Sequence, residues 1–181
     1  MPITIANGRK EQDKDSVGGF KALYFINNQI VKSDITYDAT NTDVIDTIVN
    51  VDTLYKFELK GENSFNQNIM ADPIAGTTYF EQNLSIKLKK QDAATSKNVK
   101  LLAYSMPHCV LQDYNGKFYI AGLLNGLDVT GGEISGGGKM ADFNGYSLTF
   151  KGQEVCYANL LDATTEAAML TLFTSATMVT V

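Results

Sequence analysis

The chain reads as a mainly β protein built on antiparallel sheet with one flanking helix. Two segments predict the sheet. In 55–60, Tyr55, Phe57 and Leu59 alternate with Lys56, Glu58 and Lys60; in 84–89, Leu84, Ile86 and Leu88 alternate with Ser85, Lys87 and Lys89. Successive side chains of a strand point to opposite faces, so each segment turns one face to a core and the other to water. The helix is signalled by Asp162, a natural N-cap for residues 163–173. Glu166 lies near the positive end of the helix dipole, and Ala167, Leu170 and Phe173 share a face.

The remaining elements follow in order. Residues 1–17 are polar and charged and read as an N-terminal arm; 18–181 read as a single domain. Gly18 and Gly19 introduce an aromatic strand, 20–26, ended by Asn27 and Asn28, and a short strand follows at 29–31. The stretch 32–52 is rich in Ser, Thr, Asn and Asp, and its apolar group at 44–49 fits a short helix or a strand equally. Between the two alternating segments, 65–69 and 77–80 flank Asp72, Pro73 and Gly76, which reads as a long hairpin.

Further on, the apolar segments 100–104 and 109–112 bracket Met106 and Pro107. Tight turns are expected at Asn115 and Gly116, at Asn125 and Gly126, and at Asn144 and Gly145, because Asn-Gly tolerates positive φ. Gly131, Gly132, Gly136, Gly137 and Gly138 crowd one segment, which cannot be an ordinary packed strand throughout. After it, Tyr146, Leu148 and Phe150 fall on one face of a strand, and 176–181 is again strand-like.

Composition narrows the function classes. An apolar content of 44 % against 19 % charged is enough for a core in a domain of 181 residues. No run of about 18 apolar residues exists to span a membrane, and the polar N-terminus lacks a secretory apolar run, so folding in a cytoplasm is expected. A net charge of −5 is unlike a protein that grips phosphate backbone; Lys87, Lys89, Lys90, Lys97 and Lys100 read as a solvated surface. An acidic chain still suits a conduit through which DNA passes without sticking.

Catalytic and metal chemistry finds little support. Cys109 and Cys156, far apart and in apolar context, read as small buried hydrophobes. The one histidine, His108, adjoins Cys109, but neighbours on a strand face opposite ways and cannot easily meet as base and nucleophile. Gly138 and Lys139 are followed by Met140 where a phosphate loop requires Ser or Thr. Asp128 and Asp142 stand in no regular calcium-binding loop. Catalytic, cofactor and metal residues are therefore expected to be absent, and no enzymatic role is expected. Tryptophan is also absent, which weakens a glycan-binding module, although nine tyrosines leave some stacking surface.

Three segments, YKFELKGENSFNQN (55–68), GTTYFEQNLSIKLKKQDAA (76–94) and LQDYNGKFYIAGLLNGLDVTGGEISGGGKMADFNGYSLTFKGQE (111–154), resemble the tail-tube-like virion proteins of phages and prophages of Bacteroides-type bacteria. GGFKALYF (18–25) resembles the usual start of that family. The resemblance implies an antiparallel β-sandwich or partly rolled barrel with one flanking helix. It implies rings stacked into a conduit for genome delivery, located in the virion tail and assembled in the host cytoplasm, with head–tail adaptor as the alternative. Its implied partners are copies of the same chain, six-fold first and twelve-fold next, together with other tail or portal proteins. On this reading Phe65, Asn66, Asp72 and Tyr79 of the hairpin, and Gly131, Gly132, Gly136, Gly137 and Gly138, are the expected assembly contacts.

Overall fold

The computed structural model describes residues 7–174 and 176–180. Two sheets stack face to face. Sheet A has eight strands in the order β12-β4-β1-β7-β8-β11-β3-β2. They are β1 (Phe20–Ile26), β2 (Ile35–Tyr37), β3 (Val44–Ile48), β4 (Thr53–Glu58), β7 (His108–Asp113), β8 (Phe118–Ala121), β11 (Asn159–Leu161) and β12 (Thr177–Val179). Sheet B has four strands, β5 (Ser64–Asp72), β6 (Thr77–Lys89), β10 (Gly145–Glu154) and β9 (Asp128–Ser135), in the order β5-β6-β10-β9, every pair antiparallel. Helices α1 (Ala93–Leu102) and α2 (Glu166–Leu172) complete a mainly β sandwich that does not close into a barrel.

Two cores lie on the two faces of sheet A. Ala22, Tyr24 and Ile26 of β1 point into one with Ile45, Ile48, Leu54 and Phe118, and Met169 of α2 covers it. Leu23 and Phe25 point the other way, against Leu84, Ile86, Tyr146, Leu148 and Phe150 of sheet B. Full burial of each large apolar side chain contributes about 1.5–3 kcal/mol, so both layers are needed to hold β1 in place.

The alternation at 84–89 and 146–150 holds: Leu84, Ile86, Leu88, Tyr146, Leu148 and Phe150 are buried, while Ser85, Lys87, Ser147 and Thr149 face out. At 55–60 it holds only in part, since Tyr55, expected in the core, is exposed. Phe57 and Leu59 join the sandwich core, but the opposite face of β4 is covered as well: Leu54 is fully buried, and the Lys56 side chain is only 17 % exposed beneath α2. The group at 44–49 is the strand β3, whereas 29–31 forms no strand; Ile30 instead donates its backbone N–H to His108.

The helix reading needs two corrections. The expected helix starts later than 163 and is capped by Thr165, whose hydroxyl accepts from the Ala168 N–H at 3.2 Å. Asp162 is held back because its own N–H is engaged by the Ile45 carbonyl at 2.9 Å, which continues the pairing of β11 with β3. A second helix, α1, occupies the stretch before Met106. Asp92 caps it by accepting from the Thr95 N–H at 2.8 Å, and Val99 and Leu102 dock on the sandwich core.

Glu166 anchors α2 to sheet A. Its carboxylate accepts from Lys56 Nζ at 2.8 and 3.1 Å and from the Tyr24 hydroxyl at 3.0 Å. Burial alone would raise its pKa; the hydrogen bonds from Lys56 and Tyr24 outweigh burial and hold it below the usual carboxylate range. The same contact with Glu166 is the first cause that raises Lys56. Glu166→Gln is expected to lower stability by about 1–2 kcal/mol, a figure already reduced because Glu166 is partly open to water. Chemical denaturation of the variant at neutral pH measures it, and the loss should shrink as pH falls through the carboxylate range of the native protein.

Candidate assembly surface

The groups with potential chemistry are occupied by structure. Cys109 lies wholly inside the sandwich core, and burial pushes its thiol pKa up. His108 faces the other way, as the strand geometry requires. Its Nδ1–H donates to the Gly122 carbonyl at 2.5 Å while Nε2 accepts from the Ile30 N–H at 3.2 Å, so the ring is neutral with its proton on Nδ1. Burial holds its pKa below the ordinary histidine value, although the bond to Gly122 works the other way.

The same turn, residues 122–126, is gripped from two further sides. Gln82 Oε1 accepts from the Gly122 N–H at 2.8 Å, and Glu154 Oε1 accepts from the N–H groups of Leu124 and Asn125 at 2.9 and 2.7 Å. Burial raises the Glu154 pKa and these backbone donors oppose the rise. Within the turn Gly122 and Gly126 have φ of 63° and 76°, and a Cβ on Gly122 would lie 2.7 Å from the carbonyl carbon of Gly126. His108, Gln82 and Glu154 thus lock the crossing between the sheets.

Asp128 and Asp142 are not brought together. Asp142 accepts from the N–H groups of Gly138 and Lys139 at 2.9 and 2.7 Å, closing the turn after β9, while Asp128 lies at the other end of that strand. Among the described residues no helix is long and apolar enough to cross a membrane.

The conspicuous surface is sheet B. Among the described residues its two border strands, β5 and β9, each pair on one side only, with β6 and β10 respectively. Proteins usually guard such borders with Lys, Pro, bulges or short length. β5 is nine residues long and contains no Lys, Arg or Pro. β9 has eight residues; a bulge interrupts its register opposite Thr149 and Phe150, and Gly132 lets its backbone run close over Ser147 and Leu148. The outer face, with Asn66, Asn83, Ser85, Ser147 and Thr149, is hydroxyl- and amide-rich, and Lys151 there pairs with Glu81 at 2.8 Å.

The expected contact residues fall into three groups. Asn66 and Tyr79 lie on the outer face, and Gly131 and Gly132 are within the border strand β9. Asp72 closes the hairpin tip, accepting from the N–H groups of Ile74 and Ala75, and Gly136, Gly137 and Gly138 form the turn after β9. Phe65 departs from the expectation: it packs edge-on to Phe20, ring centroids 6.4 Å apart, against the sandwich core. The turns at Asn115–Gly116 and Asn125–Gly126 form as read, with Gly116 at φ 79° beside Asp113, which accepts from the N–H groups of Asn115 and Lys117. Asn144 and Gly145 make no tight turn, because Gly145 already pairs with Lys89 and Ser135 as the first residue of β10. Gly145, next to Asn144, approaches the Leu88 carbonyl so closely that no Cβ fits.

Sequence reasoning missed the exposed apolar side chains at the two ends of sheet B. Ile74 is 99 % exposed at the hairpin tip with Ile69 and Met70 below it, and Met140 is fully exposed in the turn after β9 near Ile134. Their signal was single apolar residues within polar turns, which carry no periodicity. No protein-family model, curated protein or solved structure matches the chain.

His108 makes stability depend on acidity. Its folded pKa is depressed, so below the unfolded value of about 6.5 the unfolded chain binds the extra proton and stability falls with pH. His108→Asn keeps a donor near Nδ1 and removes the titration. The variant should lose roughly 1–3 kcal/mol at pH 8, from the orphaned Ile30 N–H. Its deficit relative to the parent should narrow as pH is lowered from about 7 to 5, measured by urea denaturation across that range.

Proposed function

We propose that this chain is the structural subunit of a phage tail tube or tail ring, and that copies join through the borders of sheet B into a continuous antiparallel sheet lining a conduit for genome delivery. The observation that carries this reading is the pair of borders, each paired on one side only among the described residues and β5 without any of the usual guards, on a sheet with an even number of strands. With four antiparallel strands, β5 and β9 run in opposite directions. A neighbour in the same orientation therefore offers β9 antiparallel to β5, and the ladder continues without any copy being turned over. Such a head-to-tail contact closes into a ring when the rotation per subunit permits, and main-chain hydrogen bonds supply the pairing.

Two further features support it. The outer face of sheet B is wet and polar, with its charges of both signs interspersed, which suits a surface past which a polyanion slides. The hairpin tip and the turn at 136–144 stand at opposite ends of sheet B, since Gly145 pairs with Lys89 at one end and Asp72 with Thr77 at the other. Each end carries exposed apolar side chains, Ile74 at one and Met140 at the other, as ring-on-ring contacts require.

Purified protein at high concentration, followed by light scattering and negative-stain microscopy, should form rings or tubes. A strictly monomeric species would overturn the reading. Asn66→Lys with Asn68→Lys places two charges on the exposed border strand, and should abolish assembly while changing stability by no more than about 0.5 kcal/mol; matched melting curves and microscopy check both halves.

A further inference from the structure

Charge and apolar surface are distributed unequally between the two flanks of the subunit, beside the two borders of sheet B. Helix α1 runs along the β9 flank. Gln91, just before the helix, donates to the Ser135 carbonyl at the end of β9, and Met106, just after it, shares a cavity wall with Asp128 and Thr130 at the start of β9. Its Lys97 and Lys100 are exposed, and among the described residues neither forms an ion pair. Leu101, Tyr104 and Met106 are exposed next to them, at 57, 84 and 41 %.

The β5 flank is the opposite in sign. Gln67 of β5 accepts from the Ala158 N–H at 2.7 Å, and Asn159 donates to the Asp43 carbonyl at 2.9 Å, which brings the start of β3 alongside the β5 border. There Asp43 and Asp46 are exposed and, among the described residues, form no ion pair, although Asp46 accepts from the Thr47 hydroxyl at 3.4 Å. Tyr157, set edge-on to Phe80 with centroids 6.1 Å apart, and Val155 are exposed beside them. Burial first, and then the Asp43 charge, raise the Tyr157 pKa, which agrees with the carboxylate standing against that ring.

The heights along the sheet also agree. Ala158 is held at Gln67, the residue that faces Gln82, whereas Met106 stands beside Asp128, which faces Lys151 and, through it, Asn83. Adjacent rows of the ladder thus carry Met106, at the end of the α1 segment, on one flank and Ala158 on the other, with Lys97 and Lys100 further along the helix toward Ser135.

We infer that the α1 flank of one copy seats on the Asp43 and Asp46 flank of the next, with Lys97 and Lys100 opposite the two aspartates. The occupant of the exposed α1 face is a second copy of this chain. This rests on the border-pairing reading above and adds its second layer: β9 against β5 gives the ladder, and the flanks behind them give direction and selectivity through complementary charge.

The test is a charge swap in the full chain. Lys97→Glu with Lys100→Glu makes both flanks acidic, and Asp43→Lys with Asp46→Lys makes both basic. Each variant alone should sediment as monomer at concentrations where the parent assembles. An equimolar mixture should assemble again, because alternating copies restore attraction at every contact, and the chain carrying all four changes should assemble alone. Parent assembly should weaken as salt is raised from about 0.05 to 0.5 M, where the screening length falls well below about 10 Å. Melting curves equal to the parent's show that each variant is folded; a variant that fails this is replaced by its neutral form, with Gln or Asn at the same positions, expected to assemble less than the parent. If the parent assembles and the reversals assemble equally well, or the mixture stays monomeric, the inference falls while the border-pairing reading stands. A parent that is monomeric throughout removes both.

Discussion

The structure depends on sheet A being covered on both of its faces. β1 sends Tyr24 and Ile26 into one core and Leu23 and Phe25 into the other, so neither side of the strand is available to water. A strand in that position has only backbone partners left to satisfy, and β4 and β7 supply them on its two sides. From this follows the division of labour between the sheets. Sheet A spends its surface on the interior, which leaves sheet B, with one dry face and one wet face, as the part of the molecule able to present a long regular surface outward.

The buried polar groups fit the same scheme. Where the chain passes from β8 toward β9, its turn at 122–126 buries Gly122, Leu123 and Gly126 while Asn125 stays at the surface. Its backbone groups are met by His108 from sheet A and by Gln82 and Glu154 from sheet B. A buried turn left without these partners would lose about 1–3 kcal/mol for each orphaned group. The three side chains therefore act as fasteners between layers, and the adjacency of His108 and Cys109 in the chain has no counterpart in space.

What could be read from the sequence follows from where each element meets water. The segments 84–89 and 146–150 alternate cleanly because one side is wet, so their core residues were legible. β1 and β7 show no alternation, since both of their faces are covered; β4 does alternate, but Tyr55 is exposed and Lys56 is shielded by Glu166, so its pattern misplaces both. Helix α1 was missed because only Val99 and Leu102 of it are buried, too few to set up a helical period, and its clearest sign, Asp92 before Ala93 and Ala94, is a cap and not a pattern. The parallel pairings of β11 with β3 and of β12 with β4 join segments more than a hundred residues apart, a matter on which local composition is silent. Of the surface, the glycines and the hairpin were legible as places, but Phe65 was taken for a contact when its ring is needed inside, and the charged flanks appear only once Asp43 and β5 are placed side by side.

β6 has one more consequence. It runs without interruption for thirteen residues, from the hairpin tip, through both of its neighbours in sheet B, to the residues that cap α1. At about 3.3 Å per residue this is a stiff rod of roughly 43 Å. Only its first stretch, 77–79, has β5 as its sole companion, so the tip acts as the free end of a lever whose fulcrum is the pairing of Phe80 with Glu154. At the other end the rod stops at a left-handed bend, Lys90 at φ 63°, which turns the chain toward Asp92 and the start of α1.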